Sequence, residues 1–240
     1  MLIIVDSGGA NISSIRYALE RIHMDSKLSA DADEIARADH VILPGVGTAR
    51  AAMDKLRRYE LVECLRGLAC PVLGICLGMQ LLFSHSQEGN KAGNKAESEE
   101  GDVDLLNILP QQVKKLTAEP GKTIPHMGWN QVDWRVGESV EKSARKEQSE
   151  QPDLAQQKST THHKAHPLLR NIPDHSYFYF VHSYFVDANI DANAHVLGYC
   201  QYGRDQVSAI IAHDNFMGCQ FHPERSGDVG SILLKNFTGL

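Results

Sequence analysis

Along the first hundred positions, apolar residues fall into two alternating patterns. Leu2 to Val5 is a short apolar run, and Ile12, Ile15, Leu19 and Ile22 then recur at helical spacing. Val41 to Leu43 is a second buried run, ended by Pro44-Gly45, and Thr48 to Leu68 returns to helical spacing with Met53, Leu56 and Leu61 on its apolar side. Pro71 to Ile75 is a third run, followed by Leu77, Gln80, Leu81 and Leu82 on an expected helix. Short strands buried on both faces and separated by helices predict an α/β fold, a parallel sheet covered by helices.

The second half is richer in strands. Tyr177 to Phe185, His195 to Tyr202, Gln206 to Ala212 and Phe216 to Phe221 lie close together with short turns, which predicts antiparallel hairpins. Ile232, Leu233 and Phe237 mark a closing helix, and no internal repeat is present. Two polar stretches stand apart. Gln87 to Asp102 carries Glu97, Glu99 and Glu100, and Arg135 to His166 is rich in Glu, Lys, Gln and Ser and lacks the apolar content to pack. The expected organisation is a single domain over residues 1–240 with a polar insertion at about 135–166.

Composition narrows the function classes. The chain has 240 residues, 42% apolar and 22% charged, enough for a core without disulfide or metal staples. A net charge of −6 with no basic block argues against a nucleic-acid binder. No run of about 18 apolar residues suggests a membrane span, and Met1 to Asp6 reads as a first strand rather than a signal peptide. Five cysteines make an odd number, and Cys64, Cys70 and Cys76, each six apart, fit no common zinc spacing. A cytoplasmic protein with free thiols is expected, four of them buried small hydrophobes. His162, His163 and His166 lack a Cys or carboxylate pattern beside them, so neither a metal nor a cofactor is expected.

Three segments carry chemistry. In Gly74-Ile75-Cys76-Leu77-Gly78-Met79-Gln80 an apolar strand runs through two glycines into a helix, the thiol form of a nucleophile elbow. The turn would lift Cys76 to the N-terminus of the next helix, where the dipole favours a thiolate and the N–H of Leu77 is placed as an oxyanion donor. Alone, so short a pattern equally fits a buried Cys in a strand–helix corner. In Gln220-Phe221-His222-Pro223-Glu224, Pro223 biases His222 towards an extended conformation, from which Glu224 can face its ring. A base and its orienter are what an activated thiolate needs. Pro44-Gly45-Val46-Gly47-Thr48 follows a strand and lacks both common phosphate-loop patterns, so the second half of an oxyanion hole suits it better.

The motifs P-G-x-G, G-x-C-x-G-x-Q and H-P-E, in that order, resemble those of the triad-type (class I) glutamine amidotransferases. The resemblance covers the chain apart from its insertions and implies that family's fold. It implies further that Cys76 attacks the side-chain amide of L-glutamine, His222 protonates the departing ammonia, and Glu224 orients His222. Leu77 would hold the oxyanion, with Val46 a second donor whose peptide could reorient. Gly47, Gln80, Glu88 and the backbone at Ser183 and Tyr184 would grip the substrate.

Ile124-Pro125-His126-Met127-Gly128-Trp129-Asn130 and Phe180-Val181-His182-Ser183-Tyr184 look like the glutaminase subunit family of imidazole glycerol phosphate synthase. Asp6-Ser7-Gly8-Gly9-Ala10-Asn11 is similar to that family's opening, with Ser7 and Ala10 departing from it. The implied partner is a (β/α)₈-barrel cyclase subunit, forming a heterodimer that makes imidazole glycerol phosphate and AICAR in histidine biosynthesis. Trp129, Asn130 and Arg225 would lie at that interface, Arg225 standing where a Lys is usual. The competing readings are the same glutaminase feeding an anthranilate- or aminodeoxychorismate-type synthase, or a catalytically silent glutamine sensor. The first tends to show P-G-P-G and C-L-G-H-Q, where this chain has Val46 and Met79.

Overall fold

A computed structural model describes residues 1–7, 12–45, 47–89, 102–135, 166–188 and 195–240. Val46, the tract 8–11, and most of both polar stretches, including Glu97, Glu99, Glu100, His162 and His163, lie outside the described residues.

The first half runs β1 (Leu2–Val5), α1 (Ile12–Arg21), β2 (Ser26–Ser29), α2 (Ala32–Ala36), β3 (His40–Leu43), α3 (Ala49–Arg58), α4 (Leu61–Arg66), β4 (Val72–Ile75) and α5 (Leu77–Gln80). The second adds β5 (His85–Ser86), β6 (Val103–Asp104), β7 (Gln112–Lys115), β8 (His126–Trp134), β9 (Ser176–His182), β10 (Tyr184–Phe185), β11 (Val196–Tyr202), β12 (Asp205–His213), β13 (Phe216–Cys219) and α6 (Gly227–Phe237).

The large sheet has the order β2-β1-β3-β4-β13-β12-β11-β8-β9. Its first five strands are parallel and the rest pair antiparallel. Alternation along each strand divides the core in two. Ile3 and Val5 pack with α2, α3 and α4 on one face, while Leu2 and Ile4 pack with α1 and α6 on the other. A second sheet, β10-β7-β5-β6, stands beside the first.

Several elements differ from the sequence expectation. Thr48 to Leu68 is two helices, because Glu60 takes a left-handed φ of 56° between them. Strand β2 and helix α2 were not anticipated, since an edge strand reading Ser-Lys-Leu-Ser carries almost no apolar signal. The stretch from Tyr177 to Phe185 divides at Ser183, where the chain leaves the large sheet and β10 joins the second. Strand β13 is antiparallel to β12 but parallel to β4, so it joins the two halves of the sheet. All five cysteines are free, and Cys64 and Cys70 are half-buried where full burial was expected. Among the described residues no helix is long and apolar enough to cross a membrane.

Candidate active site

Strand β4 delivers the chain to Cys76, which turns it into α5 with φ 54° and ψ −110°. Such a backbone conformation is uncommon for a side-chain-bearing residue and persists only where its surroundings enforce it. Here the enforcement is close packing around glycines. A Cβ on Gly74 would lie 2.6 Å from the Gly78 carbonyl oxygen, one on Gly45 2.3 Å from the Gly78 nitrogen, and one on Gly78 1.8 Å from the Leu43 carbonyl oxygen. The Leu43–Gly45 segment therefore lies flat against the elbow. The N–H of Cys76 donates to the Cys219 carbonyl at 2.8 Å, tying the turn to β13.

Strand β13 leads in turn to His222, whose backbone is extended (φ −101°, ψ 97°) as Pro223 predicts. Residues Pro223–Arg225 then form one 3₁₀ turn rather than continuing extended, because the Arg225 N–H donates back to the His222 carbonyl at 3.0 Å. Glu224 reaches the ring all the same: Nδ1 of His222 is 2.8 Å from its Oε1, with both side chains buried. Ser226, which sequence reasoning passed over, fixes this corner. Its hydroxyl donates to the His222 carbonyl at 2.6 Å and accepts the Tyr179 N–H at 3.0 Å.

The other ring nitrogen, Nε2, is buried and makes no hydrogen bond of good geometry, yet the Cys76 side chain is close enough to act on it. Burial by itself would lower the His222 pKa. The side chains of Cys76 and Glu224 outweigh it and raise the pKa to about 10. Sγ of Cys76 lies 3.7 Å from the Val181 carbonyl and accepts from Nε2 of Gln220 at 3.6 Å.

Cys76 and His222 line a cavity of about 480 Å³ together with Gly47, Leu77, Gln80, Glu88, Ser183, Tyr184 and Arg225. Nine of the anticipated site residues thus converge from both halves of the chain. Leu77 opens α5, where its N–H has no intrahelical acceptor. Gln80 is buried, and its amide nitrogen donates to the Tyr184 carbonyl and to Oε1 of Gln220, each at 2.8 Å. Its NH₂ group is therefore engaged within the protein. Glu88 accepts the Ala49 N–H at 2.6 Å, at the start of α3. Burial raises its pKa, and the Ala49 N–H offsets part of that.

Trp129 and Asn130 do not line the cavity. Trp129 is 56% exposed on β8, outside the core. Asn130 instead points its amide towards His126, with Nδ2 3.4 Å from the ring Nε2. Arg225 lines the cavity mouth and stacks over Tyr179, 4.9 Å from the ring centroid. Gln220, His126 and His182 had been noticed only as members of their motifs. Their signal was the clustering of polar residues at strand positions that alternation assigns to the interior.

A family profile described as "Glutamine amidotransferase class-I" matches residues 3–238. The imidazole glycerol phosphate synthase subunit HisH of Photorhabdus laumondii is 43% identical over 98% of each chain. The chain belongs to the HisH family of class I glutamine amidotransferases. The HisH subunit of Salmonella typhimurium is 41% identical, covering 98% of this chain and 97% of its own. Among solved structures, PurLQS from Thermotoga maritima superposes with a TM-score of 0.60 at 17% identity, over 99% of this chain and 97% of that one. A protein described as glutamine amidotransferase gives 0.61 at 13% identity, over 99% and 98%. At such identities these two share the class I amidotransferase fold and carry no argument about substrate.

Proposed function

We propose that this chain is the glutaminase subunit of imidazole glycerol phosphate synthase, a cytoplasmic enzyme of one domain, with Cys76, His222 and Glu224 as its catalytic residues. The observation that carries the reading is the alignment on one cavity of a nucleophile held at a strained elbow and an imidazole braced from behind by a buried carboxylate.

The chemistry follows from that geometry. The thiolate of Cys76 attacks the side-chain amide carbon of glutamine, forming a C–S bond and moving the carbonyl π electrons onto oxygen. The N–H of Leu77 holds this oxyanion, and the resemblance to the family, not the geometry, makes Val46 the second donor once its peptide reorients. His222, protonated and steadied by Glu224, gives its Nε2 proton to the amide nitrogen, and the C–N bond breaks to release ammonia. The neutral ring then takes a proton from water, hydroxide adds to the thioester, and glutamate leaves as the C–S bond breaks. Gly47, Gln80, Glu88, Ser183 and Tyr184 grip the amino-acid end of the substrate.

The released ammonia is passed to a (β/α)₈-barrel cyclase that makes imidazole glycerol phosphate and AICAR. The kinship with HisH subunits supports this partner. So does an exposed apolar patch on the outer face of β8 and β9, formed by Met127, Trp129 and Tyr177 at 66%, 56% and 55% exposure. Trp129 is paired across the strands with Tyr179, the ring beneath Arg225, so the patch adjoins the cavity mouth.

Glutamate release by the purified chain, alone and with a cyclase carrying a substrate analogue, tests both halves. Release with the cyclase that is abolished in Cys76→Ala is expected. A chain whose Cys76 reacts with a glutamine-like electrophile but which the cyclase never stimulates would belong to another synthase.

A further inference from the structure

Two buried histidines, His182 in the cavity wall and His126 behind it, form a chain whose direction is fixed by its ends. His182 places Nδ1 2.9 Å from the Tyr184 carbonyl, which can only accept, so Nδ1 carries the hydrogen. Nε2 of His182 lies 3.0 Å from Nδ1 of His126. Burial lowers the pKa of His182 to about 3 and that of His126 to about 4, with Lys122 adding to the effect at His126, so both rings are neutral. Nε2 of His182 is then a bare acceptor, and Nδ1 of His126 must be the donor to it. Nε2 of His126 is bare in turn and faces the amide NH₂ of Asn130 at 3.4 Å. The hydrogen bonds run one way, from Asn130 through His126 and His182 to Tyr184.

The chain's inner end meets the site. The Tyr184 carbonyl also accepts from Gln80, whose second hydrogen goes to Gln220, whose own amide reaches Sγ of Cys76. Burying two imidazoles is costly unless every polar atom is paired, and stacking of His126 between Phe180 and Tyr202, at 4.8 and 3.9 Å, needs only a flat ring. Packing therefore accounts for the ring of His126 but not for its nitrogens.

We propose that His126 and His182 are positioning residues for glutamine hydrolysis: their directed hydrogen bonds fix the Tyr184 carbonyl, and with it the Gln80 side chain, at the substrate-gripping wall of the cavity. This rests on the glutaminase reading. It makes the Nδ1 hydrogen of His126 the critical group, and three substitutions separate that hydrogen from the ring. His126→Phe keeps the stack and loses the donor. His126→Gln moves the amide beyond the δ position. His126→Asn loses the stack but keeps an N–H donor at the δ position.

The experiment is steady-state glutamate release by each variant in complex with the cyclase, with thermal unfolding to verify that each is folded. The phenylalanine and glutamine variants are expected to raise the KM for glutamine about tenfold with kcat within about threefold, the loss of one buried hydrogen bond. The asparagine variant is expected to stay within about threefold of the parent KM. If the phenylalanine variant does not fold, the glutamine variant carries the comparison. A parent-like KM in the folded phenylalanine and glutamine variants, which lack a donor at the δ position, a fall in kcat at unchanged KM, or equal impairment of the asparagine variant would overturn the relay. No glutamate release by the parent complex would instead remove the glutaminase reading itself.

Discussion

Nδ1 of His222 stands 2.8 Å from Oε1 of Glu224, and neither side chain meets solvent appreciably. The carboxylate thus fixes which nitrogen carries the ring's permanent hydrogen and leaves Nε2 to face Cys76. Glu224→Gln keeps the shape but removes the charge that favours an imidazolium. Glutamate release by the cyclase complex should fall by about 10²–10⁴-fold, as when the orienting acid of other triads is neutralised. The His222 pKa should fall as well, because one of the groups raising it is gone. Kinetics together with an NMR titration of the ring checks both, and an unchanged rate would mean that Glu224 is not the orienter.

The raised pKa of His222 also links stability to pH. Its folded value, about 10, lies above the ordinary value of 6.5, so the native state holds this proton more tightly than the unfolded chain. The stabilisation is fully present below about pH 6.5 and is lost as pH rises through about 10. Urea unfolding at pH 6, 8 and 10 should show the stability difference between the parent and His222→Gln shrinking with pH. A constant difference would count against the thiolate–imidazolium–carboxylate arrangement.

His126 and His182 predict the opposite dependence. Their folded pKa values, about 4 and about 3, lie below 6.5, so below that pH the unfolded chain takes up protons that the native state refuses. Stability should fall as pH drops from about 6.5 towards 4, with up to one proton taken up on unfolding for each ring. In His126→Phe, which removes one of the two groups, the acid slope of the urea midpoint should be shallower. An identical slope would mean that the ring is already protonated in the fold.

Much of the site was legible because its chemistry is concentrated in short segments. The order strand, Gly74, Cys76, Gly78, helix allows few backbones, and Gly45 and Gly78 are glycines because their neighbours come too close for a Cβ. His222 and Glu224 are two residues apart, so their contact needed no knowledge of the rest of the fold. What stayed hidden depends on distant chain. The hydrogen bond from Gln80 to Tyr184 spans 104 residues and that from His126 to His182 spans 56, and nothing local in either segment announces its partner. The break at Glu60 escaped because apolar spacing continues across it, and strand β2 because its pairing, not its burial, holds it in the sheet. Strand β8 is different again: alternation puts Trp129 outside with Met127, where an interface residue was expected.

The elbow's glycines give a stability prediction with an internal control. A Cβ on Gly78 would sit 1.8 Å from a backbone oxygen that cannot rotate away, so Gly78→Ala must displace either β3 or α5. A cost of about 3 kcal/mol or more is expected, together with loss of glutaminase activity. At Gly47 a Cβ would meet nothing within 4 Å, and only the φ of 92° opposes it. Gly47→Ala should cost about 1–2 kcal/mol. Urea midpoints of the two variants measure the contrast, and equal costs would mean that the approach of Leu43 to the elbow is looser than drawn.

Trp129 offers the cleanest separation of docking from chemistry. Its ring is 56% exposed, packs edge-on to Tyr179 at 6.1 Å and belongs to the patch beside the cavity mouth, yet it is not among the residues that line the cavity. A large aromatic left mostly in water contributes little to the fold by burial and becomes a binding anchor once a partner covers it. Trp129→Ala should therefore leave the thermal midpoint nearly unchanged and weaken cyclase binding by about 2 kcal/mol, or roughly 30-fold in Kd. Titration calorimetry against the cyclase reads this directly. Glutamate release at saturating cyclase should return to the parent level, because the loss is of association and not of catalysis. Undiminished binding would move the docking surface off β8 and β9, and would leave the exposed Met127, Trp129 and Tyr177 in need of another partner.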